Sequence, residues 1–322
     1  MAKIAVELAN ALARRDVAGA AGSTTGQVMA AGDGWSVSDV LCTCGPQDRP
    51  FEEQHSKYSI ALIIAGTFRY RSESRWGLSN ELMTPGGLLL GNPGQCFECG
   101  HEHGAGDRCL SFQFEPEYFE GLAADAGVAS RETKFPVLRL PSAHALSPIV
   151  TEACSGLAAP DGGSWKAALW EELGVQLATQ VLQLVGGASG RVNRAASPSV
   201  MRGVARAVRW IEKNSDSALT LAELARVAGL SSFHFLRTFE QVTGVTPHQY
   251  LKRMRLRQAA IRLATEPAKV LDIALDCGFG DVSNFTRAFR GEFGVSPRDY
   301  RSQARRPARM DKGACPARCG PW

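Results

Sequence analysis

The sequence contains one segment twice between Leu219 and Tyr300, and this repeat constrains the fold more than any other feature. Each copy has a short amphipathic stretch that ends at a glycine, then a second amphipathic stretch, and it closes on Gly-Val-(Thr/Ser)-Pro-x-x-Tyr. Gly229 and Gly278 are 49 residues apart, whereas the later matched positions are 50 apart, which one residue inserted in the second turn explains. Matches at fixed offsets of this kind indicate an internal repeat.

Each copy predicts two helices joined by a tight turn. The glycine stands where a helix ends in the left-handed conformation, and the second helix begins three or four residues later, as in a helix-turn-helix. We expect the second helices to bury phenylalanines on one face and to place the opposite face in the major groove of DNA. The residues predicted to contact DNA are Ser232, Phe233, Leu236, Arg237, Val282, Ser283, Thr286, Arg287 and Arg290.

Arginine at the matched positions 237 and 287 suits base recognition, because one guanidinium can bond O6 and N7 of guanine together. The alternative for both arginines is a salt bridge on a solvated helix. Two interpretations also stay open for Phe233 and Leu236. Their apolar tips contact thymine methyl groups, or they pack against a neighbouring helix.

Charge is distributed unevenly along the chain. Residues 199–306 contain 18 Lys/Arg and 10 Asp/Glu, a net of +8; residues 1–198 contain 15 and 21, a net of −6; residues 307–322 contain 3 and 1. A basic C-terminal half predicts a polyanionic partner. The helix predicted from Pro247 to Thr265 is expected to expose a basic face for phosphate contacts. That face comprises Lys252, Arg253, Arg255, Arg257 and Arg262.

From Trp35 the pattern changes to short, β-rich segments with Gly and Pro at the turns, which is typical of a small barrel or jelly roll. Two helical segments follow, between His144 and Val185. The sequence therefore predicts an α+β protein. Its predicted parts are an N-terminal segment at 1–34, a β-barrel with two following helices at 35–185, a linker at 186–198, an all-α domain with two helix-turn-helix motifs at 199–306, and a disordered tail at 307–322.

The second copy carries the residues by which a known family can be recognised. These are Ile273-Ala274, Gly278-Phe279, Phe285, Arg287, Phe289, Phe293-Gly294, Ser296-Pro297 and Tyr300. The last hundred or so residues resemble the DNA-binding domain of the AraC/XylS family of bacterial transcription regulators. The resemblance implies two recognition helices on one rigid linker helix, entering successive major grooves about one helical turn apart. Leu236 and Val282 depart from the family pattern, which more often has polar residues there.

The barrel and its two helices resemble, less specifically, the cupin-type sensor and dimerisation domain of the same family. The resemblance implies a homodimeric activator or repressor without enzymatic activity. Its implied partners are double-stranded promoter DNA, RNA polymerase and a small-molecule or metal inducer. The alternative from another class is a cupin-type metalloenzyme, or a cysteine-based alkyl-acceptor repair protein, fused to the DNA-binding domain.

Potential metal ligands are concentrated between Cys96 and Cys109. Thiolate and imidazole groups at Cys-x-x-Cys and His-x-His spacing suit Zn²⁺ or another thiophilic metal. The predicted ligands are Cys96, Cys99, His101, His103 and Cys109, with Cys42, Cys44 and His55 as additions if the barrel brings them near. The alternatives are a redox or electrophile sensor, an organic inducer, and a purely structural role. In the structural alternative Cys96 and Cys109 are buried strand residues, and His101 and His103 lie in a polar turn.

The sequence has no run of 18 apolar residues and no pattern of an export signal near its N-terminus. We therefore expect a cytoplasmic protein in a reducing compartment. The nine cysteines are then free thiols or metal ligands rather than disulfides.

Overall fold

The computed structural model describes residues 2–74, 77–102, 104–128, 133–158, 167–186 and 197–304. We call residues 2–186 the barrel domain and residues 197–304 the helical domain. Most of the linker predicted at 186–198 and all of the predicted tail lie outside the described residues. Every helix in the described ranges is too short or too polar to span a membrane.

Two antiparallel sheets form the barrel domain. The strands are β1 (Thr24–Gly32), β2 (Trp35–Cys42), β3 (Phe51–Gln54), β4 (Tyr58–Gly66), β5 (Phe68–Ser74), β6 (Gly77–Met83), β7 (Leu88–Gly91), β8 (Cys96–Gly100), β9 (Asp107–Phe114) and β10 (Arg139–Leu140). The larger sheet has the order β1-β2-β9-β4-β7-β10, and the smaller sheet has the order β3-β8-β5-β6. The β-rich first half that the sequence predicts is confirmed.

The helices of the barrel domain are α1 (Ala2–Ala18), α2 (Pro116–Asp125), α3 (Ser147–Leu157), which follows a 3-10 turn at His144–Leu146, and α4 (Ala167–Gly186). The helical domain contains α5 (Pro198–Lys213), α6 (Leu221–Ala228), α7 (Ser232–Thr243), α8 (Pro247–Thr265), α9 (Val270–Asp276), α10 (Val282–Phe293) and α11 (Pro297–Ala304). The predicted α+β class is confirmed.

Strand β4 is buried along its whole length because both faces of the larger sheet are covered. On one face, Ile60 and its neighbours pack with Trp170 and Leu173 of α4. On the other face, Ile63 packs with Tyr70 of the smaller sheet. Successive residues of β4 point to opposite faces of the sheet, so they pack alternately into two different hydrophobic cores.

The helical domain has two separate hydrophobic cores, one for each copy of the repeat. Phe235 and Phe239 of α7 lie in the first core, and Phe285 and Phe289 of α10 lie in the second. Gly229 ends α6 with a φ of +73°, in the left-handed conformation expected of it. The two predicted helix pairs are confirmed.

Strand β1 corrects the boundary that the sequence predicts at residue 34. Thr24–Gly32 pairs with β2 along nearly its whole length, although the sequence places residues 1–34 outside the barrel. This strand lies at the edge of the larger sheet and is exposed for most of its length. It therefore lacks the alternation of apolar and polar residues by which a half-buried strand is recognised.

Helix α8 corrects the exposed basic face that the sequence predicts. Lys252 is exposed, but Arg257 is buried. Arg255 donates to the carbonyl oxygens of Ser215 and Ser217, at 2.6 Å each. The ion-pair partners of Arg262 are Glu266 and Asp276. These guanidinium groups stabilise the protein itself, so fewer cations face a nucleic acid than the charge count suggests.

Gly278 tests how far the second turn depends on a left-handed residue. Its φ is +82°, and a Cβ there would come within 2.6 Å of the Asp216 carbonyl oxygen. Gly278→Ala should therefore lower the free energy of unfolding by about 1–2 kcal/mol in denaturant titrations. Gly291→Ala in α10 is the control, since a Cβ there meets open space. It should raise the free energy of unfolding by about 0.5–1 kcal/mol. Equal effects of the two changes would contradict this account.

Candidate nucleic-acid interface and barrel cavity

Helix α7 presents the predicted reading face to solvent. Phe233 is 79% exposed and Leu236 is 36% exposed, and neither belongs to a hydrophobic core of the described residues. Ser231 caps the helix, since its Oγ accepts a hydrogen bond from the amide of His234. Packing against a neighbouring helix therefore does not explain these two apolar side chains, while Ser232 and Arg237 are exposed beside them.

Helix α10 presents the corresponding face of the second copy. Ser283, Arg287 and Arg290 are exposed, and Thr286 is half-buried. Val282 packs partly against the second hydrophobic core, because it is the first residue of the helix and lies beside that core.

The arginines on these two faces are available for binding. No hydrogen bond or ion pair to another described residue involves the side chains of Arg237, Arg287 or Arg290. The alternative of a surface salt bridge is therefore not realised for any of the three. Each guanidinium keeps all its donors for an external acceptor.

Helix α8 joins the two copies rigidly. Its N-terminal half contributes Tyr250 and Met254 to the first core, and its C-terminal half contributes Leu256 and Leu263 to the second. The helix begins with a capping box between Thr246 and Gln249. A single continuous helix shared by both cores fixes α7 and α10 relative to each other.

A cavity of about 340 Å³ lies inside the barrel. Its aromatic wall includes Phe51, Phe68 and Phe97. The ring of His55 stacks on Phe97, and its Nε2 lies 2.8 Å from the hydroxyl of Tyr70. Burial lowers the pKa of His55 to about 4 and raises the pKa of Tyr70, so both groups are neutral near pH 7. This volume and lining suit a small organic ligand.

Titratable groups converge in another part of the cavity wall. The Nε2 atom of His101 lies 2.6 Å from Oδ1 of Asp107, and the thiol of Cys109 donates to Oδ2 of Asp107 at 3.1 Å. Burial lowers the pKa of His101, but hydrogen bonds with Asp107 and Cys42 outweigh it and raise this pKa to about 9. Burial, followed by the charge of Asp107, raises the pKa of the Cys99 and Cys109 thiols.

The structure brings together only part of the metal-ligand set that the sequence predicts. Cys99, His101 and Cys109 line the cavity, whereas Cys96 is exposed beside Gln54. Residues three apart on a strand point to opposite faces, so Cys-x-x-Cys on β8 does not direct both thiols to one ion. His103 lies outside the described residues.

A different combination of residues comes close together instead. The potential ligand atoms of Cys42, Cys44 and His101 all lie within 4.8 Å of one another. The sequence names the two cysteines only as additions, and their signal is the Cys-x-Cys spacing at the end of a strand. The remaining addition, His55, hydrogen-bonds Tyr70 and is not part of this group.

The helical domain contacts the barrel through a buried arginine. Arg209 of α5 donates from Nε to Thr67 Oγ1 at 3.0 Å and from Nη1 to Ala105 O at 2.8 Å. Its Nη2 donates to Thr67 O at 3.0 Å and to Gly106 O at 3.3 Å. Nearby, the amide of Gly66 donates to Oε1 of Glu212 at 3.1 Å. Burial lowers the pKa of Arg209 and raises the pKa of Glu212 to about 7.

A second contact joins the barrel domain to the other half of the helical domain. Ser147 of α3 donates its hydroxyl to Oε1 of Glu292. The Nε2 atom of His144 lies 2.7 Å from the carbonyl oxygen of Gly291. Arg253 donates to the carbonyl oxygen of Ser142. Helices α5, α8 and α10 of the helical domain therefore all touch the barrel domain.

Comparison with known proteins agrees with both halves of the chain. A family model described as an AraC-like ligand binding domain matches residues 38–174, and one described as a helix-turn-helix domain matches residues 224–303. The regulatory protein SoxS of Salmonella typhimurium is 36% identical over 94 residues, which cover 29% of this chain and 88% of SoxS. The chain belongs to the AraC/XylS family of transcription regulators.

Other family members match over the same C-terminal region. The transposon Tn10 TetD protein of Escherichia coli is 41% identical over 92 residues, which cover 29% of this chain and 67% of TetD. The HTH-type transcriptional activator RhaS of Yersinia pestis is 43% identical over 94 residues. This region again covers 29% of this chain but spans only 34% of the length of RhaS.

Two solved structures illustrate the range of similarity. The DNA-binding domain of AdpA, in complex with a target DNA, is 32% identical and covers 34% of this chain and 98% of its own, with a TM-score of 0.32. Unsaturated fatty acid bound ToxT from Vibrio cholerae is 13% identical and covers 84% of this chain and 95% of its own, with a TM-score of 0.33.

In this AraC/XylS regulator, the pKa of Glu212 predicts how stability depends on pH. The pKa is raised in the folded state, from the ordinary 4.5 to about 7, so the folded protein retains a proton that the unfolded chain loses between these values. The contribution of Glu212 to stability should therefore fall as pH rises from 4.5 to 7, opposite in sign to that of His55, whose pKa is lowered by burial. Glu212→Gln should remove this falling contribution and stabilise the protein by about 1–3 kcal/mol at pH 8 in denaturant titrations.

The amide oxygen of the glutamine can still accept the hydrogen bond from Gly66, so the substitution removes only the ionisation. Glu240→Gln is the control, because Glu240 is exposed on α7. For this control, the free energy of unfolding should change with pH as it does in the wild-type protein. The same slope in Glu212→Gln would show that Glu212 does not cause the pH dependence.

Proposed function

We propose that this regulator binds promoter DNA through both recognition helices, and that a small molecule in the barrel cavity controls the contact between its two domains. The observation that carries the proposal is the single helix α8, which fixes α7 and α10 as one body. Arg237, Arg287 and Arg290 have no partner among the described residues, in agreement with a role in DNA binding.

The two reading faces differ in chemistry, which supports an asymmetric target. Helix α7 offers Phe233, Leu236 and one arginine, so it suits thymine methyl groups next to a guanine. Helix α10 offers hydroxyl groups and two arginines, so it suits a half-site with more guanines or phosphate contacts. We infer that the two helices recognise different half-sites about one helical turn apart.

The cavity lining indicates the class of ligand. Its aromatic wall favours an apolar body, and the neutral His55–Tyr70 pair can exchange hydrogen bonds with one polar group. A ligand that binds one domain arrangement better than another shifts the population toward that arrangement. The contacts of Arg209 and Glu212 with barrel loops are the element on which such a shift can act.

The remaining partners are proposed from the family resemblance. We propose a cytoplasmic homodimer that contacts RNA polymerase. The alkyl-acceptor alternative requires an activated cysteine thiolate. Burial raises the pKa of Cys99, Cys109, Cys154 and Cys277, which argues against a nucleophilic role for these four thiols.

Selection of bound sequences from random duplex DNA tests the proposed recognition. The full-length protein should enrich a site with two unlike half-sites, each protected in footprinting. Arg287→Ala should weaken specific binding by about 1–3 kcal/mol and relax the preference in one half-site, because a bidentate contact with guanine is lost. Arg237→Ala should relax the other half-site.

Arg14→Ala is the control for the loss of one surface arginine, because Arg14 lies on an exposed part of α1. It should leave the selected sequence unchanged. If Arg287→Ala and Arg237→Ala both retained wild-type affinity and preference, the assignment of α7 and α10 as reading helices would be overturned.

Arg209→Ala tests the coupling between the domains. The change leaves the carbonyl oxygens of Thr67, Ala105 and Gly106 without this donor, so the domains should unfold less cooperatively. Calorimetry should then show two separated transitions where the wild-type protein shows more closely coupled unfolding. Arg206→Ala on the same helix is the control, because Arg206 bonds Ala228 within the helical domain. A wild-type calorimetric profile for Arg209→Ala would contradict the coupling.

A further inference from the structure

Two cysteines at the end of one strand and a histidine at the end of another converge at one end of the barrel. Cys42 is the last residue of β2, Cys44 follows it by two positions, and His101 directly follows β8. Cys42 and His101 are buried, and Cys44 is half-buried. Their potential ligand atoms lie within 4.8 Å of one another, so a small shift suffices to place all three around one ion.

We propose that Cys42, Cys44 and His101 bind one thiophilic divalent cation of the Zn²⁺ class, and that this ion regulates the contact between the barrel loops and Arg209. The regulatory part rests on the proposed function, whereas the binding site does not. The set differs from the one predicted around Cys96, because strand geometry directs Cys96 away from the cavity.

The Cys-x-Cys segment is held in a form that directs both thiols to one side. Residues two apart on an extended chain share a face. Thr43 between them turns the other way, since its amide and its Oγ1 both bond the carbonyl oxygen of Ser23. Asp48 accepts a hydrogen bond from the amide of Gly45 at 2.7 Å and pairs with Arg15 at 2.9 Å. The turn is therefore organised before any ion binds.

His101 has the surroundings of a metal-bound histidine. Its Nε2 lies 2.6 Å from Oδ1 of Asp107, which leaves Nδ1 for an ion. Metal-binding histidines usually donate their other ring N–H to a carboxylate, which fixes the tautomer and the ring orientation. The second oxygen of Asp107 is occupied by the thiol of Cys109. Asp107 is thus a positioning residue, and Cys109 bonds to it instead of joining the ligand group.

Sulfur and nitrogen ligands select the class of ion. Thiolate and imidazole suit Zn²⁺, whereas Mg²⁺ and Ca²⁺ prefer oxygen ligands. A tetrahedral zinc site with bonds of about 2.3 Å to sulfur and 2.0 Å to nitrogen places its ligand atoms about 3.5–3.8 Å apart. Thr24 donates its hydroxyl to Cys42 Sγ at 3.4 Å. Since Cys42 and His101 line the cavity, water or a cavity ligand can supply the fourth donor.

The proposed site is bonded directly to the segment that holds Arg209. The amide of Gly106 donates to the carbonyl oxygen of Cys44 at 2.8 Å. Arg209 in turn bonds the carbonyl oxygens of Ala105 and Gly106. An ion bound to Cys44 and His101 would link both ends of this segment, and we expect it to fix the carbonyl groups that accept from Arg209.

Cobalt substitution tests the site without reference to DNA. The full-length protein, stripped of metal by a chelator under reducing conditions, is titrated with Co²⁺. One Co²⁺ per chain should produce a thiolate-to-cobalt charge-transfer band and the d–d bands of tetrahedral Co²⁺, and Zn²⁺ should displace it. Wild-type protein that shows neither band would overturn the proposal, whatever its affinity for DNA.

Two cysteine variants distinguish the proposed ligands from those predicted by the Cys-x-x-Cys spacing. Cys44→Ser should abolish the charge-transfer band or weaken Co²⁺ binding at least 100-fold. Cys96→Ser should retain the charge-transfer band and the wild-type affinity for Co²⁺. The opposite pattern would show that the ion binds around Cys96. Asp107→Asn should weaken Co²⁺ affinity about 10–100-fold but retain the tetrahedral spectrum, because it changes the orientation of His101 and removes no proposed ligand. Circular dichroism of each variant excludes misfolding as the cause.

DNA binding with and without Zn²⁺ tests the regulatory part. Zn²⁺ should change the affinity of the wild-type protein for its selected DNA site. The effect should disappear in Cys44→Ser, and also in Arg209→Ala, although this second variant still binds Co²⁺ with the tetrahedral spectrum. Unchanged affinity in wild-type protein that binds the ion would overturn the regulatory part. A protein that binds Co²⁺ but no specific DNA would instead contradict the proposed function.

Discussion

The contact between α5 and the barrel domain depends on the burial of one guanidinium group. Arg209 enters the barrel surface between two loops and donates four hydrogen bonds to Thr67, Ala105 and Gly106. Removing a cation from water is costly unless its donors are satisfied, and here neutral oxygens satisfy them. Gly104 lies so close to Arg209 that a Cβ would collide with the guanidinium group. The glycine-rich loop and the arginine are therefore parts of one contact.

This contact changes the interpretation of the basic charge. A net of +8 in residues 199–306 predicts a surface that attracts polyanions, yet Arg209, Arg255 and Arg257 bond or pack inside the protein. Such arginines add to long-range attraction but cannot form direct phosphate contacts without breaking intramolecular bonds. The salt dependence of DNA binding should therefore reflect fewer contacts than the composition implies, since it follows the number of phosphates neutralised.

The sequence predicts the helical domain well because its signals are local. Glycines at helix ends and phenylalanines at fixed offsets define α7 and α10 without knowledge of the rest of the fold. Strand β1 escapes prediction since an exposed edge strand has no periodic burial. The Cys-x-x-Cys pattern misleads because its meaning depends on the backbone: a loop can direct both thiols to one ion, but strand β8 separates Cys96 from Cys99. The association of Cys44 with His101 depends on sheet pairing, which no local pattern encodes.

The cysteine–histidine group and the buried arginine are adjacent for a reason of topology. Strand β9 begins at Asp107, so the short connection from β8 carries His101 at one end and Asp107 at the other. The carbonyl groups between them accept from Arg209, while the amide of Gly106 bonds Cys44. This connection offers one direct route between the two sites, and its backbone is bonded on both sides. Contiguous bonds of this kind can carry coupling between a ligand site and a domain interface when the interface has two alternative arrangements.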